Sequence, residues 1–349
     1  MTQADIYDVT IIGGGPAGLF STFYSGLREM KTKIVEASPQ LGGKLNVYTE
    51  KIIWDIGALP PSPAGKVIEH LVEQAKVFNP TILTNTKIIS IDRGTQDLFI
   101  LTAENGDKHF TKAIMLATGY GILNPRKLAI EGAEKYEVSN LSYTIQGLEK
   151  MRDKIVVISG GGDSAIDWAN LLEPIAKQVH LIYRQGELKG HESEVTRLNN
   201  NSVMLHLDSE IIELTANEDG DKITKVIIKQ KDTLVEQTIL VDEVVINHGF
   251  ESEHELFENS SVGLEKIETH YVAANSYGET QVKGIYAAGD IVSYDGKVHL
   301  IAGAFHDAVN AVNQIKMYIE PSAFNRARVS SHNDKFSDKN QELVKIFFA

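Results

Sequence analysis

At 349 residues, 42% hydrophobic and 23% charged, the chain is long enough for two domains with separate cores and has the composition of a soluble globular protein. Its net charge of −13 argues against nucleic acid or an anionic membrane as the main partner, and it has no apolar run of the length needed to span a bilayer. There is no cysteine, which removes disulfides, thiolate metal sites and dithiol chemistry; the polar opening Met1-Thr-Gln-Ala-Asp5 does not read as a signal peptide, so a cytoplasmic location and no metal site are expected.

The first element is the β-branched run Tyr7 to Ile12, read as a buried parallel strand, followed directly by Gly13-x-Gly15-x-x-Gly18. Gly13 permits a tight turn, Gly15 lets the backbone approach a pyrophosphate, and Gly18 lets the next helix pack on the strand. That helix opens at Pro16-Ala17, so its free N–H groups and positive dipole end face the phosphates. A second strand, Lys33 to Val35, ends in Glu36, about twenty residues past the fingerprint, where a carboxylate can bind the hydroxyls of an unphosphorylated adenosine ribose. The first site is therefore read as a dinucleotide site.

Leu41-Gly42-Gly43-Lys44 follows; its paired glycines suit either a close backbone approach or a plain loop. Leu59-Pro-Pro-Ser-Pro63 marks a hard turn, and the periodicity of Val67, Leu71, Ala75 and Phe78 predicts a structural helix. Alternating segments from Ile82 to Phe110 read as a small antiparallel insertion, and Ala113 to Thr118-Gly119 as a separate buried strand ending in a glycine turn.

A second fingerprint follows the strand Ile155 to Ser159. Gly160-x-Gly162-x-x-Ala165 has alanine at the helix-packing position, with Asp163 and Ser164 opening a helix that stops before Pro174. The next strand, Gln178 to Tyr183, ends in Arg184 rather than an acid, and Lys189 lies in the same loop. A guanidinium there suits a ribose 2′-phosphate, the alternative being a solvated basic pair. The first site is read as holding FAD and the second NADPH. Val203 to Leu214 and Lys222 to Lys231 are predicted strands. Gly284 to Ala287 forms another, with Asp290 at its tip placed to accept from a ribitol hydroxyl. A long helix led by Leu300-Ile301 directs its N-terminus at negative charge on a flavin.

Taken together and in this order, the two fingerprints, Glu36, Leu41-Gly-Gly43, Ala117-Thr-Gly119 and Ala288-Gly-Asp290 resemble the thioredoxin-reductase-like flavoproteins over nearly the whole chain. Thioredoxin reductases carry a Cys-x-x-Cys before the second fingerprint; Ser139 to Gln146 has none here. The chain is more similar to the ferredoxin–NADP reductases built on that fold. Tyr48-Thr-Glu-Lys51 resembles their Tyr-Pro-Glu-Lys, and Val329-Ser-Ser-His-Asn333 their carboxyl-terminal Val-Ser-Thr-His-Asn.

The resemblance implies an α/β fold of two Rossmann-like three-layer (ββα) nucleotide-binding domains. The NADPH domain (120–250) is inserted in an FAD domain (1–119 and 251–349). It implies FAD contacts from Lys44, Ile88, Leu123, Asp290 and Ser331, with Tyr48 on one flavin face and His332 on the other, contributed across a homodimer. On local sequence alone, Tyr48 reads as a core aromatic and His332 as a solvated tail residue, and only the wider resemblance reverses that reading. The implied activity is hydride transfer between NADP(H) and FAD followed by one-electron steps to a transiently bound ferredoxin or flavodoxin, the alternative being an NADPH oxidase or diaphorase acting on oxygen or quinones. Arg126, Lys127, Arg326 and Arg328 are candidates for a local basic docking patch on this acidic chain.

Overall fold

A computed structural model describes residues 6–95, 97–252, 255–267, 271–327 and 329–348. The chain forms two compact units: Met1–Asn46, Lys51–Ile122 and Ser252–Ala349 make the first, and Val47–Glu50 with Leu123–Glu251 the second.

The first unit begins with β1 (Ile6–Ile12), α1 (Pro16–Leu27) and β2 (Thr32–Val35). It continues with α2 (Ala64–Ala75), β3 (Thr81–Leu83), β4 (Ile88–Arg93), β5 (Phe99–Ala103) and β6 (Lys108–Leu116). The sheet order is β3-β2-β1-β6-β5-β4. β1 lies parallel to both β2 and β6, with Ile12 opposite Val35 and Leu116. Val9, Ile11 and Ile34 are fully buried, as expected of a parallel sheet covered on both faces. The segment from Ile82 to Phe110 is not a separate insertion: β3 extends the parallel sheet beside β2, and β6 runs unbroken from Lys108 to Leu116, antiparallel to β5 and parallel to β1. No turn residue separates Phe110 from Ala113, and Thr111 is fully buried, so nothing interrupts the strand.

The second unit is built on β7 (Leu141–Ser142), β8 (Ile155–Ser159), α3 (Asp163–Leu172), β9 (Gln178–Ile182), α4 (Glu192–Asn199) and β10 (Met204–His206). It is completed by β11 (Ser209–Ala216), β12 (Ile223–Gln230), β13 (Glu236–Leu240) and β14 (Glu243–Ile246). The parallel sheet runs β7-β14-β8-β9-β10, and β11-β12-β13 form an antiparallel meander. Val156 and Ile158 pack against Ala165, Trp168 and Leu172 of α3, while Val157 and Ile246 pack against Ile211, Val226 and Ile239 of the meander. The layers are therefore helix, parallel sheet and antiparallel sheet. The predicted strand Val203 to Leu214 is two strands. The break falls at Leu207-Asp208, where Asp208 adopts φ +50°, a conformation aspartate tolerates better than most residues. The first piece then pairs with β9 and the second with β12.

The chain returns to the first unit with α5 (Glu255–Glu258) and β15 (Ile285–Ala287), which pairs in parallel with β6. It continues as α6 (Ile301–Ile319) and ends in α7 (Ser337–Phe348). The buried face of α6 carries Ala304, Ala308, Ala311 and Ile315, and Phe305 meets Phe20 of α1 with ring centroids 4.8 Å apart. Among the described residues, no helix is long and apolar enough to cross a membrane.

Candidate functional site

In the first unit, the turn between β1 and α1 is shaped by what would collide with a side chain. A Cβ on Gly13, where φ is +107°, would lie 2.4 Å from the Ala117 carbonyl oxygen, and one on Gly18 would lie 1.9 Å from that of Gly13. Gly15 is different: the nearest atom to a Cβ there is 3.7 Å away, so its outer side is open. Gly15 is the N-cap of α1 and no described side chain caps the helix, while Pro16 and Ala17 form its first turn. Uncapped N–H groups beside an open glycine make an anion cradle. The Leu41-Gly42-Gly43 loop is explained by the same turn. Gly42 N–H donates to the Gly14 carbonyl at 2.8 Å, and a Cβ on Gly43 would lie 2.7 Å from the Gly15 Cα. The close approach is to the fingerprint itself.

Glu36 is buried at the end of β2. Its Oε2 accepts from Gly14 N–H at 2.6 Å and its Oε1 from Ser38 N–H at 2.8 Å. Each carboxylate oxygen retains a second lone pair for a ribose hydroxyl. Thr118, at the end of β6, has a buried hydroxyl with no hydrogen-bond partner, and the next residue is Gly119 at φ +57°. An open glycine, an uncapped helix start and an orphaned hydroxyl all fit a bound dinucleotide. Lys44 Nζ lies 5.3 Å from the centre of the Tyr120 ring.

On the returning strand, Gly289 takes φ +84° and a Cβ there would lie 2.8 Å from Ala17 Cβ, so the tip carrying Asp290 sits against the first turn of α1. Asp290 Oδ1 lies 3.6 Å from His299 Nδ1, and the His299 ring is 5.9 Å from that of Tyr271. Burial, Asp290 and Tyr271 push the Tyr120 phenol up to about 12. Behind the tip is a pair that the sequence reading did not find: the buried side chains of Lys297 and Asp307 form an ion pair. Its one signal in the sequence is an acid among the alanines of the buried face of α6, beside Ala304, Ala308 and Ala311.

The second unit repeats the first turn with changes. A Cβ on Gly160 would meet the Asn247 carbonyl oxygen at 2.5 Å, and one on Gly161 would meet the Tyr183 ring at 2.3 Å. Gly162 is open, its nearest neighbour 3.9 Å away, and it is the uncapped N-cap of α3. Ser164 is exposed at that helix start, and Ala165 is buried against the sheet. Asp163 Oδ1 accepts the His191 N–H at 3.0 Å, so it fastens the loop that carries Lys189. Lys189 N–H in turn donates to the Gly161 carbonyl at 2.7 Å. Arg184 and Lys189 are exposed and form no ion pair among the described residues, which leaves both free for a phosphate.

Not every expected residue is at a cradle. The Ile88 side chain is buried in the core with Phe99 and Leu101, so only its main chain is on offer. Leu123 and Tyr48 belong to the second unit, and Tyr48 packs against that unit's core cluster. The Tyr48 segment is held by Glu50, whose carboxylate accepts the Gly147 N–H at 2.9 Å and the Leu148 N–H at 2.6 Å, and by a Thr144 hydroxyl bond to the Val47 carbonyl. Ile301 is the first residue of α6, where no described side chain caps the helix. Ser331 and His332 are exposed, with no side-chain hydrogen bond among the described residues. Of the basic residues, Arg126 is 3.7 Å from Glu251 and Lys127 is 3.0 Å from Glu137, so each already faces an acid; Arg328 lies outside the described residues. No group of three or more His, Asp or Glu among the described residues could hold a metal.

Residues 7–314 match the family model described as pyridine nucleotide-disulphide oxidoreductase. The chain belongs to that family. It is 53% identical over 345 residues to a protein of Bacillus cytotoxicus named ferredoxin–NADP reductase 1, covering 99% of each chain. It is 52% identical over 344 residues to ferredoxin–NADP reductase 2 of Exiguobacterium sibiricum, covering 99% of this chain and 98% of that one. The structure is similar to Lactococcus lactis thioredoxin reductase in its FR conformation, with a TM-score of 0.73 at 25% identity over 90% of this chain and 99% of that one. The fold is shared equally with thioredoxin reductase of T. acidophilum, with a TM-score of 0.73 at 23% identity over 91% of this chain and 100% of that one. This family member has no cysteine, so it cannot form a redox disulfide of its own.

Proposed function

We propose that the chain is an FAD-dependent NADPH oxidoreductase of the ferredoxin–NADP reductase type, binding FAD in the first unit and NADPH in the second. The observation that carries this reading is identity of 53% over 99% of the chain to a relative of that name, in a sequence that lacks cysteine. Bound FAD supplies two-electron chemistry toward nicotinamide and one-electron chemistry toward an iron–sulfur or flavin protein. The protein's part is positioning and electrostatics. Gly13, Gly15, Gly18 and the start of α1 receive the pyrophosphate, Glu36 takes the adenosine ribose, and Thr118, Asp290 and Lys44 orient the rest of the cofactor. The α6 N-terminus at Ile301 favours negative charge on the flavin. Gly160, Gly162 and the start of α3 receive the NADPH pyrophosphate, and Arg184 with Lys189 reads the 2′-phosphate.

Tyr48 covers one flavin face, and His332 with Ser331 covers the other from the second copy in a homodimer. The exposed apolar side chains of Val344, Ile346, Phe347 and Phe348 on α7 support coverage by another copy. Ferredoxin is the acceptor, with flavodoxin an alternative, and the encounter is small and transient. Mixing the FAD-loaded protein anaerobically with NADPH should bleach the flavin. Adding ferredoxin should then accelerate cytochrome c reduction, while insulin-coupled thioredoxin reduction stays undetectable. If ferredoxin and flavodoxin have no effect while oxygen or quinones are reduced rapidly, the chain is an oxidase or diaphorase instead.

A further inference from the structure

Asp307 lies on α6 and is 2% exposed. Its carboxylate gathers three donors from a single stretch of chain. Oδ2 accepts the main-chain N–H of Gly289 at 3.0 Å and also bonds Lys297 Nζ, while Oδ1 accepts the Tyr294 hydroxyl at 2.5 Å. The Lys297 and Asp307 side chains are each 2% exposed, so the pair is removed from water. The same stretch is anchored at both ends by glycines that tolerate no side chain. Gly289 abuts Ala17 in the first turn of α1, and a Cβ on Gly303 would lie 2.1 Å from the Val298 carbonyl oxygen. One carboxylate thus sets the conformation of the chain from Gly289 to Val298, which includes Asp290 and leads into the N-terminus of α6.

A buried ion pair is seldom a good way to gain stability, because desolvating two charges offsets most of their attraction. An apolar pair of similar volume could hold the loop. It could not also accept the Gly289 N–H or keep a balanced cation beside the tip. Removing either charge would leave the other buried and unpaired, and such a charge acts at long range in a medium of low polarisability.

We propose that Asp307 is a positioning residue for the flavin: it presents Asp290 to the ribitol and, by neutralising Lys297, sets the electrostatic field in which the flavin is reduced. This rests on the assignment of FAD to the first unit. The two charges give the test a sign. Asp307→Asn leaves an unbalanced ammonium, which favours the more negative reduced flavin, so the midpoint potential should move positive. Lys297→Met leaves an unbalanced carboxylate, and the potential should move negative. Titration of the apoprotein with FAD, followed by flavin fluorescence, should show affinity weakened roughly tenfold or more in Asp307→Asn, whose single acceptor oxygen cannot serve both Gly289 and Tyr294 and which no longer balances Lys297.

The double variant Asp307→Asn/Lys297→Met should return the potential toward that of the wild type while leaving FAD affinity low. Potentials that do not move in opposite directions in the two single variants would reduce Asp307 to a structural residue and overturn the proposal. Should either single variant fail to fold, the double variant, which carries neither charge of this pair, still tests affinity against potential. Wild-type apoprotein that takes up no FAD would instead overturn the assignment on which the proposal rests.

Discussion

Glu36 accepts the Gly14 N–H at 2.6 Å, which ties the acid ending β2 to the glycine turn ending β1. The carboxylate shapes the turn, and the proposed FAD site would give it a second job as an acceptor for the ribose. Glu36→Ala removes the partners of two main-chain N–H groups at once, and the variant should lose about 1–3 kcal/mol of stability and purify with depleted flavin. The visible flavin absorbance per protein is the measurement. Full occupancy with wild-type affinity would remove Glu36 from the cofactor site.

Gly15 and Gly18 separate open space from packing space. A methyl group at Gly15 meets nothing closer than 3.7 Å, whereas at Gly18 it runs into a carbonyl at 1.9 Å. Gly15→Ala apoprotein should melt within a degree or so of wild type yet fail to bind FAD, because only the ligand occupies that side. Gly18→Ala should be destabilised with or without FAD, by about 1–3 kcal/mol or more. Differential scanning fluorimetry of both apoproteins, before and after FAD addition, distinguishes the two. A Gly15→Ala protein that binds FAD normally would mean the pyrophosphate does not lie there.

Much of this was legible because it depends on local geometry. Glycine spacing, a strand before it and a helix after it are demanded by backbone sterics, and Gly13, Gly18 and Gly160 collide with main-chain atoms just as that pattern requires. What escaped depends on partners distant in sequence. Lys108 to Leu116 reads as two strands until β1 is found pairing along it, and Val203 to Leu214 reads as one strand until Asp208 is seen to turn. The Ile88 side chain lies in the core because residues of β5 and β15 pack with it. The Lys297–Asp307 pair was hidden because a charge on a small-residue helix face carries no spacing rule.

Coenzyme choice should reside in Arg184. It is exposed, free of ion pairs among the described residues and placed just beyond β9. Arg184→Ala should raise the KM for NADPH roughly tenfold or more, the loss of a charge-assisted bond worth about 1.5–3 kcal/mol, with little effect on NADH. Steady-state kinetics with both coenzymes measures this. Equal effects would mean that Arg184 does not contact the 2′-phosphate.

The second unit should be acid-sensitive. His180 Nδ1 on β9 lies 3.0 Å from His206 Nε2 on β10, and burial together with His206 holds the His180 pKa down to about 4. The unfolded chain binds that proton near its ordinary pKa of about 6.5, so the unfolded state holds more protons between about pH 6.5 and pH 4. Stability is fully present above that window and falls as pH drops through it, by roughly 2 kcal/mol at about pH 5. Thermal melts of wild type and of His180→Gln/His206→Gln across this range check the sign and the source. A wild-type slope retained in the double variant would place the acid sensitivity elsewhere.

The short excursion of Val47–Glu50 has a consequence for engineering. The chain passes between its units at 46/47, 50/51, 122/123 and 251/252, not only at the two ends of the long segment. Residues 123–251 are therefore not a self-contained cassette. Transplanting them into a relative to change coenzyme choice would separate the Gly147 and Leu148 amides from the carboxylate of Glu50, and Thr144 from the Val47 carbonyl. A chimaera that exchanges only the long segment inherits this mismatch, and one that carries the tetrapeptide along with it does not.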